Sequence, residues 1–281
     1  MSTDASPDPL LAGRPVGAAS LTAVLRRAHE AGALAEAIPV LRAAAATRST
    51  FTSAADLPRP SKPLLVSEGA PPVLVCVPSF LAGSGPHQFA RLAASFERRS
   101  RAKALVLPGF ERAGAVPADW FAAIDALTNA ALSAADGEPP VLVGYSIGGV
   151  VAHAMAQRLE ETGRPVAGIV MIDTVDPDAA ARAASFAWAL GSVLDRDADG
   201  RLVTDDNLTA MGAYLGLLEQ WHPGPVAAPV LMLRAQRRPG DADRPLWDIA
   251  QTTVSVPADH FSVMEEDAVH AARAIEGWLH R

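Results

Sequence analysis

The stretch Val141-Leu142-Val143-Gly144-Tyr145-Ser146-Ile147-Gly148-Gly149 decides how this chain is read. An apolar run leads into it and a helix-like run leads out, which predicts a strand, a sharp turn and a helix with a serine at the turn. Such a turn holds the serine hydroxyl clear of the backbone, and the flanking glycines let strand and helix approach closely. The first residue past the serine opens the helix, so its N–H points to where negative charge develops in acyl transfer. Without that setting, the same pattern is only a Gly-rich turn whose serine caps a helix.

Working outward, the elements alternate. Val150, Val151, Ala154, Met155 and Leu159 continue the helix to about Gly163, and Gly168 to Asp173 reads as the next strand. Upstream lie a buried strand Val73 to Val77, a helix from about His87 to Glu97, a strand Ala104 to Leu107, and a helix from Pro117 through Trp120, Ile124, Leu127 and Leu132. Downstream, Val230 to Leu233 and Thr253 to Val256 are strands, and a last helix runs from about Asp267 to Leu279. This order predicts an α/β fold with a mostly parallel central sheet of at least six strands, covered by helices on both faces.

Two segments stand apart. Between Val175 and Pro229 the alternation lapses into two helical patterns, read as a lid insertion over about 177–228, above the crevice at the carboxyl ends of the strands. Ahead of the sheet, residues 20–56 carry two short amphipathic helices, with Leu21, Val24, Leu25 and Ala28 on one stripe and Leu34, Ala37, Ile38 and Leu41 on the other. Their apolar faces must either fold back on the domain or pair with a second copy of the chain. Residues 1–19, rich in Pro, Gly, Ser and Ala without periodicity, read as a linker, and 57–281 as the main domain.

Composition narrows the class. The 281 residues are 49% apolar, enough for one large α/β domain, yet no run reaches bilayer-spanning length and no signal-like segment opens the sequence, so a soluble, cytoplasmic protein is expected. A net charge of −7 disfavours nucleic acid. The single cysteine, Cys76, lies within a strand run, which excludes disulfides within the chain, and no metal site is suggested by cysteine spacing.

A serine hydroxyl at its ordinary pKa is a weak nucleophile and needs a histidine base, which needs an acid to fix its tautomer. Of seven histidines, His29, His153, His270 and His280 fall on predicted helix surfaces, His222 in the lid region, and His87 beside a helix start. His260 follows the last strand across Pro257-Ala258-Asp259 and so reaches the carboxyl edge of the sheet, in Ser-acid-His order. For the acid, Asp173 ends the strand after the elbow helix; Asp241 or Asp243 after the following strand, and Asp176, are alternatives. Asp259 reads as a turn residue. The oxyanion donors are expected to be the N–H groups of Ile147 and of Ser79, since Pro78 has none.

The motifs Gly85-Pro86-His87-Gln88-Phe89, Gly144-Tyr145-Ser146-Ile147-Gly148-Gly149, Ile172-Asp173 and Asp259-His260-Phe261-Ser262-Val263-Met264 together resemble the terminal thioesterase domains of modular polyketide synthases, macrolide-type members of the α/β-hydrolase superfamily. The resemblance runs from about Leu21 to Leu279. It implies a Ser146, Asp173 and His260 triad, a helical lid over a substrate channel, and a homodimer through the N-terminal helices. It also implies that no cofactor is bound and that a polyketide acyl chain arrives on the phosphopantetheine of an upstream acyl carrier protein, to be released by hydrolysis or macrolactonisation. Trp188, Met211, Tyr214 and Leu218 are candidates for lining the channel, against a core-packing role for each. Two departures from the family pattern stand out: Tyr145 where many members have histidine, and Pro78 where some macrolide-forming relatives have a non-proline residue. A stand-alone editing thioesterase, a small-ester hydrolase and a non-catalytic binding module are the competing readings.

Overall fold

A computed structural model describes residues 20–57, 61–176, 182–237 and 247–280. The elements run α1 (Leu21–Glu30), α2 (Leu34–Ala45), β1 (Thr50–Phe51), β2 (Leu64–Ser67), β3 (Ala70–Val77), α3 (Phe89–Ala94), β4 (Ser100–Ala104), β5 (Val116–Pro117), α4 (Trp120–Ala135), β6 (Val141–Tyr145), α5 (Gly148–Glu161), β7 (Gly168–Ile172), α6 (Arg182–Arg196), α7 (Asp205–Leu218), β8 (Val230–Ala235), β9 (Thr252–Val256) and α8 (Ala268–Leu279). A seven-stranded sheet has the order β2-β4-β3-β6-β7-β8-β9. Every neighbouring pair in it is parallel except β2 with β4. Residues β1 and β5 form a separate short parallel pair.

The strands bury both faces, and period two sorts their side chains. Val73, Val75 and Val77 of β3, with Leu142, Ile169 and Met171, meet α4 and α5 on one side. Leu74 and Cys76, with Val143, Val170 and Leu231, meet α3 and α8 on the other. This is the doubly covered parallel sheet that the continuous apolar runs predict, and it is the α/β-hydrolase architecture. Helix ends are fixed locally: Asp119 caps α4 by accepting from the Ala122 N–H at 2.7 Å, and Thr204 and Asn207 cap α7 reciprocally.

Two details differ from expectation. The strand expected at Ala104 to Leu107 lies earlier, at β4, although the Leu105 N–H still bonds the Cys76 carbonyl at 2.9 Å. Arg101 and Lys103 disguise this strand; the Lys103 ammonium reaches the Ala134 carbonyl and the Asp136 carboxylate while its stem lies along the sheet. Strand β2 was not expected, because its Leu64 and Leu65 are exposed and give no alternation at this antiparallel edge.

The apolar faces of α1 and α2 are covered within the same chain by α6 and α7. Leu25, Leu34 and Leu41 share one contiguous core with Leu190, Leu208, Met211 and Tyr214. Polar ties reinforce the packing: Arg26 donates to the Asp197 carboxylate at 2.8 Å, and Thr22 donates through its backbone and hydroxyl to Asp205. Among the described residues no helix is long and apolar enough to cross a membrane. Residues 1–19, read as a linker, lie outside the described residues.

Candidate active site

The elbow forms as its sequence requires. Strand β6 is buried throughout and α5 starts at Gly148, leaving Ser146 between them at φ +55°. That left-handed conformation costs a residue with a Cβ roughly 1–2 kcal/mol. It is held by the Ser146 N–H, which donates to the Ile172 carbonyl of β7 at 2.8 Å. A Cβ on Gly144 would overlap the backbone of Gly148 and Gly149, and one on Gly148 would strike the Val77 carbonyl and Pro78. The same close approach seats the loop after β3 against the N-terminus of α5. Ser79 of that loop is buried, and its Oγ accepts the Leu81 N–H at 3.0 Å.

Asp173 directly follows β7, also at positive φ, +47°. Its Oδ2 lies 2.7 Å from His260 Nδ1, and its Oδ1 accepts the Ala235 N–H at 3.1 Å. Both side chains are 3% exposed, so the contact is shielded from water, and a buried carboxylate at Nδ1 favours the tautomer that leaves Nε2 free to accept a proton. The histidine loop is shaped by Asp259, whose Oδ1 accepts the N–H groups of Phe261 and Ser262 at 2.9 Å each. Asp259 is therefore the turn residue it was read to be. Ser146 and His260 line one cavity of about 270 Å³ together with Ser79 and Tyr145. A hydroxyl, an imidazole and a carboxylate are thus gathered from three strand ends, the arrangement that acyl transfer through a serine needs.

Residues 72–279 match the thioesterase domain family. The chain belongs to that family. It is 36% identical over 264 residues to polyketide synthase GfsE of Streptomyces halstedii, covering 90% of this chain and 7% of that protein. Over 213 residues it is 33% identical to erythronolide synthase EryA3 of Saccharopolyspora erythraea, covering 73% of this chain and 7% of that one. The chain therefore spans a small fraction of the length of these curated relatives. Among solved structures it shares its fold with the NocB thioesterase domain, at TM-score 0.60 and 22% identity over 79% of this chain and 99% of that one. The same holds for the Vlm2 thioesterase domain bound with a dodecadepsipeptide, at TM-score 0.58 and 17% identity over 77% and 97% of the two chains.

In this thioesterase domain the four channel candidates part company. Trp188 on α6 meets the His260 ring edge-on, with centroids 5.7 Å apart, and also packs on Phe261. Met211, Tyr214 and Leu218 are fully buried in the core, with Tyr214 stacked on Phe80 and donating to the Pro108 carbonyl, and neither they nor Trp188 line the cavity that holds Ser146. Asp241 and Asp243, the alternative acids, lie outside the described residues. The carboxylate that meets the histidine is Asp173.

Three titratable groups outside this cluster have structural settings of their own. His29 contacts Asp195 at 2.7 Å. His153, expected on a helix surface, is buried, because α5 is enclosed by the sheet and by Trp221 and Trp247, whose rings approach His153 to 6.0 and 4.8 Å. Burial pushes its pKa down to about 4, against an opposing pull from Glu160, and its Nδ1 has no partner among the described residues. Burial pushes the Cys76 thiol up to about 12, which leaves it unreactive. Sequence reasoning singled out Tyr145 only as a departure from the family pattern and missed its contact at the centre of the site, where its hydroxyl donates to the His260 carbonyl at 2.7 Å. Its position next to Ser146 is the signal that could have found it.

Proposed function

We propose that Ser146, Asp173 and His260 are the catalytic triad of a chain-releasing polyketide thioesterase. The observation that carries this reading is the shielded 2.7 Å contact of Asp173 with His260 Nδ1, beside a serine held at a strained elbow in the same cavity. His260 Nε2 takes the Ser146 proton as Oγ attacks the thioester carbonyl of a polyketide chain borne on the phosphopantetheine of an acyl carrier protein. The N–H groups of Ile147 and Ser79 receive the oxyanion, supported by the start of α5 directly after Ser146 and by the β3 loop packed against it. Collapse breaks the C–S bond, the proton passes from His260 to the leaving thiolate, and an acyl-serine ester remains. His260 then deprotonates water, giving a linear acid, or a hydroxyl of the chain itself, giving a macrolactone. The same proton finally returns to Ser146 Oγ.

The reading extends to the domain plan. Helices α6 and α7 belong to the lid of about 177–228, and the 20–56 helix pair braces it. A homodimer through that pair would use its outer surface, where Val40 is exposed, because the inner face is occupied by α6 and α7. Val40→Glu should then give monomers in sedimentation; a wild type that sediments as a monomer would exclude the dimer, and a dimer that survives the substitution would exclude this face as its interface.

The deciding experiment offers a long hydroxyacyl thioester to the wild type and to Ser146→Ala, and weighs the product and the protein. An acyl adduct on the wild type alone supports the assignment, and product heavier than the lactone by one water identifies hydrolysis. Turnover by Ser146→Ala at the wild-type rate would exclude Ser146 as nucleophile.

A further inference from the structure

We propose that Tyr145 is a positioning residue that ties the proposed base, His260, to the strand that carries the nucleophile. The inference rests on the triad reading above. Tyr145 ends β6 and is bonded directly to Ser146. Its side chain is 3% exposed and turns toward the α3 and α8 side of the sheet, where the His260 loop lies. There its ring stacks on the imidazole, with centroids 5.2 Å apart and planes 30° apart, and its hydroxyl donates to the His260 carbonyl at 2.7 Å.

The two contacts act on different parts of the histidine. Asp173 fixes Nδ1, but one hydrogen bond leaves the ring free to pivot about that atom. The Tyr145 ring supplies a flat face that limits the pivot, while its hydroxyl anchors the backbone from which the imidazole hangs. Trp188 and Phe261 close on the ring edge-on, at 5.7 and 5.2 Å, but neither comes from the elbow strand. Only Tyr145 among these aromatics is adjacent in sequence to Ser146, so the offset between nucleophile and base is set through one peptide unit and one hydrogen bond. Proton transfer depends steeply on that offset; a misplacement of about 1 Å can cost about a hundredfold in rate.

Tyr145→Phe keeps the ring and removes only that bond. Three quantities are measured on the full chain: kcat and KM with a long acyl thioester, the rate at which a small fluorophosphonate labels Ser146, and the folded fraction under assay conditions. The expected result is a fall of about tenfold in both kcat and the labelling rate, with KM and the folded fraction unchanged. Tyr145→Ala, which also removes the ring, should fall by at least a further order of magnitude. Rates for Tyr145→Phe within about twofold of wild type, or a loss matched by loss of folded protein, would overturn the proposal. Ser146→Ala and His260→Ala serve as controls: turnover surviving in either overturns the triad reading itself, whereas dead controls beside a fully active Tyr145→Phe overturn only the role of Tyr145.

Discussion

The Cα of Gly212 on α7 lies against the main-chain carbonyl of Leu41 on α2, so close that a Cβ there would overlap the Leu41 backbone. Helices α2 and α7 therefore meet backbone to backbone, and a side chain at this point must wedge them apart. Gly212→Val should destabilise the domain by about 1–3 kcal/mol and Gly212→Ala by less. Urea unfolding measures this; an unchanged midpoint would mean that the helices can separate freely.

Asp173→Asn tests how the histidine is held. An amide can present an N–H to Nδ1, which favours the tautomer that protonates the wrong nitrogen, so kcat should drop by about four orders of magnitude while the fold persists. Retention of more than a tenth of the activity would move the acid elsewhere, with Asp241→Asn and Asp243→Asn the next variants to assay.

His153 should make stability depend on pH. Its folded pKa of about 4 lies below the ordinary histidine value, so the unfolded chain binds a proton that the folded chain refuses. Stability is therefore full above pH of about 6.5 and declines as pH falls towards about 4, with a limiting slope of about 1.4 kcal/mol per pH unit. Replacing the ring by an apolar one of similar shape, His153→Phe, should flatten that decline and cost little at neutral pH, since Nδ1 has no partner to lose among the described residues. Denaturation midpoints of both proteins at several pH values decide it; parallel curves would refute the assignment.

Asp197 behaves oppositely. Burial pushes its carboxyl up, but the N–H groups of Leu202, Val203 and Arg201, with the Arg26 guanidinium, outweigh burial and hold it below the usual carboxylate range. Its stabilising effect is thus present above pH of about 4 and lost as pH falls through the lowered value. Asp197→Ala should cost about 3 kcal/mol at neutral pH by stranding those donors and the arginine, visible as a lower thermal midpoint.

The central strands and the site corners were legible because each obeys a local rule. Continuous apolar runs such as Gly168 to Ile172 must be buried on both faces, and residues just past strand ends, Ser146 and Asp173 among them, must face the carboxyl edge of the sheet. Strand β4 was shifted because Lys103 shows the sheet its stem and solvent its charge, and a one-letter code conveys only the charge. His153 was misread because helical periodicity marks one buried stripe, while the tryptophans that cover the opposite side come from distant loops. The Tyr145 bond to His260 spans 115 residues, and no spacing rule reaches across that separation.

The left-handed turn at Ser146 sets folding and chemistry against each other at a single position. Glycine would relieve the conformational cost, though it loses more backbone entropy on folding, so Ser146→Gly should unfold at a slightly higher temperature, by about 0.5–1 kcal/mol of added stability, while lacking any side chain to acylate. Thermal denaturation of the two proteins measures the difference directly. At this turn the backbone favours glycine, and the hydroxyl that the proposed chemistry needs is held there against that preference.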